Sequence, residues 1–305
     1  MRSAFNDELL KIAKQDKRIF MILADIGYGE IEPFAEAFPD RYFNCGVAEQ
    51  DMTGVACGVA MEGNIAVTYS IANFPTLRCL EQIRNDICYH NASVKIVIIG
   101  GGLAYGSLGV SHHSTEDIAI MRSLPDMVVC CPADIQEARA AVHVMIDRDG
   151  PFYYRCGYKK EPDLHQGPID FQFGKAIQVT DGADVTLIGT GTITYRAYLA
   201  AKLLAEQGVK ARVVSMHTVK PIDKDAIVAA ARETGAIVTV EEHNVFGGLG
   251  GAVAEVLAEA GAGVPFKMIG LPDTYVHIVG THEWLLDYYG FSPEAIADAA
   301  KGLIQ

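Results

Sequence analysis

Neither a run of about 20 apolar residues nor an apolar stretch behind a basic start occurs in this sequence. A membrane span and a secretory leader are therefore not expected, and the opening MRSAFNDELLKIAKQDKRIF scatters acids among its bases. Clustered Lys and Arg are missing as well. Twenty-five basic residues stand against 38 acidic ones, a net charge of −13, which argues against a nucleic-acid surface or an anionic membrane face. No CxxC pair occurs, and the seven cysteines are odd in number. Most fall in apolar contexts, where a free thiol acts as a small hydrophobe, so neither a zinc site nor a disulfide framework is expected. A reducing, cytoplasmic setting follows from that usage. Short-period repeats and low-complexity tracts are also lacking.

What is present is a pattern of α/β domains. The 305 residues suffice for two of them. Apolar runs at 18–27, 41–46, 64–70, 94–102, 126–134 and 151–157 read as strands, with helices at 48–62, 76–91 and 134–148 between them. The runs are rich in Val and Ile and show no polar alternation, which predicts a parallel sheet covered on both faces. A polar segment with prolines and glycines follows, and 161–182 is read as the linker between domains 1–160 and 183–305. The pattern then restarts with strands at 183–191, 210–216 and 235–243 and helices at 194–207, 223–233 and 249–260.

Several stretches invite a chemical reading. GTGTIT (189–194) follows a strand but has Thr194 where a dinucleotide fingerprint needs its third glycine, so it reads as a tight strand-to-helix turn. FGGLGG (246–251) precedes a helix, and its backbone N–H groups suit an anion. GGGLAYGSLG (100–109) leads into SHHSTED (111–117) at the carboxyl end of a strand, where open α/β sheets bind ligands. His112 and His113 there are either substrate contacts or solvated loop residues. Arg155, at a strand end among aromatics, suits either a carboxylate partner or an oxyanion. Glu49 stands at the mouth of an otherwise apolar, small-residue helix. The helix dipole alone favours a first-turn Glu. Gly54 and Gly58, one turn apart, would also let another backbone approach, and a carboxylate desolvated there could hold a proton near neutral pH.

The stretches GVAEQDMTGVACGVAMEGNIAVTYS, NFPTLRCLEQIRND, SHHSTEDIAIMRSLPDMVVCCPAD and YYRCG, in that order, resemble the transketolase family, in its pyrimidine-binding domain. DVTLIGTG, VVSMHTVKPID and VEEH resemble the carboxy-terminal domain that follows it. The resemblance implies two parallel-sheet α/β domains and a thiamine diphosphate (ThDP) enzyme. No GDG motif of the family's diphosphate- and Mg²⁺-binding domain occurs. The chain thus resembles the carboxy-terminal subunit of a split transketolase, with a separate amino-terminal subunit supplying that half of the site in an α₂β₂-type assembly.

By the same resemblance Glu49 hydrogen-bonds N1′ of the aminopyrimidine, Phe74 stacks on that ring, and Asp25 lies near the cofactor. His112 contacts the sugar hydroxyls as a catalytic and substrate residue, His113 stands beside it, and Arg155 holds the substrate phosphate. The implied reaction is two-carbon ketol transfer from an anionic, phosphorylated ketose to an aldose. Three departures bear on the sugar. Leu108 replaces an acid, Gly100–Gly102 replace a substrate His, and His113 replaces Gln. The alternatives are the β subunit of a 2-oxo acid dehydrogenase component, a deoxyxylulose-phosphate synthase-like enzyme, and a non-catalytic regulatory subunit.

Overall fold

The structure, a computed structural model, describes residues 1–159 and 161–304. Lys160 and Gln305, the last residues of the two expected domains, lie outside the described residues. The chain forms β1 Ile19–Leu23, β2 Tyr42–Asn44, β3 Ile65–Ile71, β4 Val94–Ile99, β5 Val128–Cys130, β6 Phe152–Cys156, β7 Ile177–Thr180, β8 Val185–Thr190, β9 Ala211–Ser215, β10 Thr218–Lys220, β11 Ile237–Asn244 and β12 Phe266–Leu271. They make two sheets, ordered β10-β5-β6-β4-β3-β1-β2 and β12-β11-β8-β9-β7.

The first sheet is parallel apart from β10, as the unbroken apolar runs predict. Every residue of β4 and β6 is buried, because helices cover both faces. Helix Glu49–Met61 packs on one face through Met52, Ala56 and Ala60, and helices Arg2–Ala13 and Ile135–Asp147 cover the other. Asp134 caps the last of these by accepting the Glu137 N–H at 3.0 Å. Its second oxygen accepts the Leu164 and His165 N–H groups, which ties the following segment to the first domain.

Three expectations need correction. The helix expected over 76–91 is broken into Asn73–Thr76, Leu80–Gln82 and a π-helical turn Ile83–Cys88. Thr76 donates its hydroxyl to the Ala72 and Asn73 carbonyls, drawing on acceptors that a continuing helix would use. The linker expected over 161–182 contains β7, a half-exposed edge strand running antiparallel to β9. The division near 160–183 is also crossed from the far side. β10, well inside the expected second domain, pairs antiparallel with β5 of the first sheet, Thr218 opposite Cys130.

Candidate active site

Strand order decides where the first domain gathers its polar groups. β1 connects to β2 on one side and its neighbour β3 connects to β4 on the other, so the chain changes direction between β1 and β3 and opens a crevice at the carboxyl ends of these strands. Asp25 follows β1, Glu49 follows β2 and Phe74 follows β3. The crevice therefore receives all three residues.

Glu49 is the first residue of helix Glu49–Met61 and is only 3% exposed. Its Oε2 accepts from Arg78 Nη1 at 2.6 Å, while the Arg78 side chain stays half exposed. The same guanidinium lies 5.0 Å over the Phe74 ring. Arg78 thus joins the expected acid to the expected aromatic. Spacing alone gives the arginine of NFPTLR no role, because its contact with Glu49 spans 29 residues of sequence.

The glycine face is not what buries Glu49. Gly54 and Gly58 are exposed, and among the described residues nothing outside their helix comes within 4 Å of a Cβ at either position. Asp25 is exposed and adopts φ 51°, in the left-handed region. It accepts from Asn44 Nδ2 at 3.1 Å and from the Tyr28 hydroxyl at 2.8 Å. These donors hold its carboxyl below the usual range.

His112 joins this group. Its ring meets Phe74 edge-on with centroids 5.1 Å apart, and Nδ1 shares a hydrogen bond with the Ser111 hydroxyl at 2.9 Å. Nε2 has no partner among the described residues. The Tyr105 ring centroid also lies 6.1 Å from that of the imidazole. Tyr105 occupies the room that glycine leaves, since a Cβ at Gly100 would fall 2.4 Å from its ring. His113 does not share this setting. It is 4% exposed, neither ring nitrogen has a hydrogen-bond partner among the described residues, and burial lowers its pKa. Of the two histidines expected to contact substrate, His112 alone joins the crevice group, and His113 is buried.

Arg155 takes the carboxylate alternative that its sequence context left open. It is 7% exposed, and its Nε donates to Asp117 Oδ2 at 2.8 Å. Nη2 donates to the Ser114 and Glu242 carbonyls at 3.2 and 3.0 Å. The buried Tyr153 hydroxyl also donates to Asp117, at 2.7 Å. The guanidinium lies flat against Gly101, where a Cβ would sit 2.3 Å from its Cζ. Arg155 thus forms a buried pair with Asp117 and reaches the second domain through the Glu242 carbonyl.

The second carboxylate of VEEH seals the same boundary. Glu242 accepts the Leu103 N–H across the boundary and pairs with His282 Nε2 within the second domain. Burial opposes a charged imidazole, but the Glu242 charge and hydrogen bond, helped by Glu283, raise His282 above its ordinary value. Burial likewise opposes the Glu242 carboxylate, which His282 and Arg155 nevertheless hold below its ordinary value. A raised His stabilises fully below its unfolded pKa and loses that contribution as pH rises through its folded one. Unfolding free energy measured between about pH 6 and 9 should therefore fall on the alkaline side, and His282→Gln should flatten that fall. An unchanged slope would sink this assignment.

FGGLGG does meet an anion, and it belongs to the chain. Glu241 Oε1 and Oε2 accept the Gly250 and Leu249 N–H groups at 2.7 and 2.6 Å. No external anion is needed at this helix start.

Comparison with known proteins agrees with this geometry. Residues 1–157 match the transketolase pyrimidine-binding domain and 174–296 the transketolase carboxy-terminal domain. The chain belongs to the transketolase family. It is 41% identical over 307 residues to a subunit of the apulose-4-phosphate transketolase of Phocaeicola vulgatus, covering all of this chain and 97% of that one. It is 37% identical to a subunit of the 6-deoxy-6-sulfo-D-fructose transketolase of a Clostridium species, covering 98% and 93%. Among solved structures, one described as "Split gene transketolase, inactive beta4 tetramer" superposes with a TM-score of 0.92 at 39% identity, over 99% of this chain and 97% of that chain.

Transketolases depend on ThDP, and this chain's residues fit one half of it. A buried carboxylate, with one oxygen held by Arg78 and the other free of partners among the described residues, suits a ring nitrogen. A half-buried Phe74 beside it suits a flat ring. Among the described residues, no group of three His, Cys, Asp or Glu is placed to hold a metal, and no helix is long and apolar enough to cross a membrane.

Proposed function

We propose that this chain is the carboxy-terminal subunit of a two-chain, ThDP-dependent transketolase. The enzyme transfers a two-carbon ketol unit from an anionic ketose to an aldose. One observation carries the reading. Glu49, Arg78, Phe74 and His112 form a continuous set of contacts at the switch-point crevice. The two relatives add support, since both are named for sugars that carry a phosphate or sulfonate.

Bound ThDP would supply the electron sink for carbon–carbon cleavage. Glu49 would hold and return a proton at Oε1 against the aminopyrimidine N1′, while Arg78 fixes Oε2. Phe74 would hold the ring flat, and Asp25 would border it. His112 Nε2 would bind a sugar hydroxyl and steady its proton during transfer. Mg²⁺ and the diphosphate fall to an amino-terminal partner subunit.

The test is two-carbon transfer by the chain co-expressed with that partner, across a panel of ketose phosphates and sulfonates, with and without ThDP and Mg²⁺. Transfer that needs both chains and the cofactor supports the reading. Decarboxylation of 2-oxo acids by the same complex would overturn it.

The exposed Gly54/Gly58 face is assigned to contact with a second copy in an α₂β₂ assembly. Gly58→Ala should stabilise the isolated chain by about 0.5–1 kcal/mol, because helical glycine costs that much where its surroundings are open. The same change should weaken the assembly, measured by chemical denaturation and by sedimentation. Unaltered assembly would remove the face from the contact.

A further inference from the structure

Between the two domains lies a cavity of about 480 Å³ that the proposed transfer site does not use. That volume lies within the roughly 300–1,000 Å³ typical of small-molecule sites. Gly100, Gly101 and Arg155 line it from the first domain, and Gly191, Thr192 and His282 from the second.

Arg155 brings a guanidinium to the cavity. Three of the guanidinium's hydrogen-bonding directions are spent on Asp117, Ser114 and Glu242, but Arg155 Nη1 has no partner among the described residues. It lies 3.9 Å from where a Cβ at Gly191 would stand. Gly191 also opens the helical run Gly191–Ile193 and Thr194–Glu206, whose first N–H groups carry the positive end of the helix dipole. The Gly191 N–H is used by the Cys131 carbonyl, whereas the Thr192 N–H has no partner among the described residues. A side chain more than nine-tenths buried and a helix start thus present unused donors to one space.

His282, raised toward its cationic form, and Lys159 line the cavity too. Of the acids around it, Glu283 and Asp287 are held by Arg196 and Glu161 by the Met1 amine, leaving Glu294 exposed. Tyr158, Tyr195, Leu199 and Leu286 provide apolar wall.

Tyr158 of this wall also meets Tyr105. The two ring centroids lie 4.4 Å apart, and the Tyr105 ring is the neighbour of His112. We propose that the interdomain cavity binds a small phosphorylated organic molecule, distinct from the sugar undergoing transfer. The phosphate rests on Arg155 Nη1 and the Thr192 N–H, and the organic body lies between Tyr158 and Leu199. This reassigns Arg155 from the transferred sugar to a second ligand.

The test is calorimetric titration of the full chain with phenyl phosphate, and with inorganic phosphate and phenol as part-molecules. Phenyl phosphate should bind more tightly than either part. Thr192→Pro keeps a helix start, where proline is tolerated, but removes the N–H. It should weaken phenyl phosphate about tenfold or more, the effect of losing a hydrogen bond to a charged group. Leu199→Trp, which fills the wall without touching the phosphate contacts, should weaken phenyl phosphate more than inorganic phosphate. His112→Ala should leave binding unchanged. Absence of saturable binding would overturn the proposal. So would binding that is indifferent to Thr192→Pro and Leu199→Trp, or binding lost with His112→Ala or displaced by the ketose donor.

Discussion

Glu49→Gln is expected to slow two-carbon transfer by the assembled enzyme on the order of 10²–10⁴-fold, the usual contribution of a general acid–base group. The substitution preserves shape but removes the capacity to exchange a proton. It should leave the fold intact, for a physical reason. The partner left behind, Arg78, is 49% exposed and can be solvated, so no buried charge is stranded. Transfer rate and thermal unfolding of the same preparation, read together, check both halves. Retention of more than about a tenth of the wild-type rate would remove the acid–base role, since even the low end of that range is larger. A collapse of the fold would show instead that the ion pair is a structural strut.

Asp117→Asn should have the opposite profile. Here the stranded partner is Arg155, 7% exposed and enclosed between two domains. Breaking a buried pair from one side typically costs about 3–5 kcal/mol, because the remaining charge keeps its desolvation penalty. For a chain of this size that corresponds to a fall in melting temperature on the order of 10 °C. Tyr153 adds to the effect, since its buried hydroxyl loses a charged acceptor. The double change Asp117→Leu with Arg155→Met should recover part of the loss, because two apolar side chains leave no charge to strand. The rest remains, since the Tyr153 hydroxyl and the Ser114 and Glu242 carbonyls lose their partners. A single-variant cost below about 1 kcal/mol, measured by denaturant unfolding, would mean that water reaches the pair.

How far the sequence carries depends on the kind of signal each feature leaves. β3 and β4 are legible because a strand buried on both faces writes a continuous Val/Ile run. β7 and β12 leave no such run, being edge strands with half-exposed side chains, and β10 has only three residues in a polar setting. Asp25, Phe74 and the roles expected of Glu49 and His112 come from the family resemblance, because each belongs to one of its local motifs. Arg78, Tyr105 and the Arg155–Asp117–Glu242 connection are not legible, since each depends on contact across the fold. His113 shows the limit within one dipeptide. Adjacent residues of a loop point to different sides, and only packing decides which imidazole stays accessible. FGGLGG cradles an anion, as its glycines and following helix suggest, yet the occupant, Glu241, lies on the preceding strand.

The pairing of β10 with β5 has a consequence for the order in which this chain is made. Until Thr218–Lys220 has left the ribosome, the outer edge of β5 carries unpaired backbone groups, although all residues of the other six strands are already available. The nascent first domain therefore waits with an open sheet edge, the feature that invites pairing with another chain. Closure arrives only with the segment that follows β9. The amino-terminal half released by a stop within the linker would thus be a sheet lacking its border, and its solubility would depend on whatever covers β5 in place of β10.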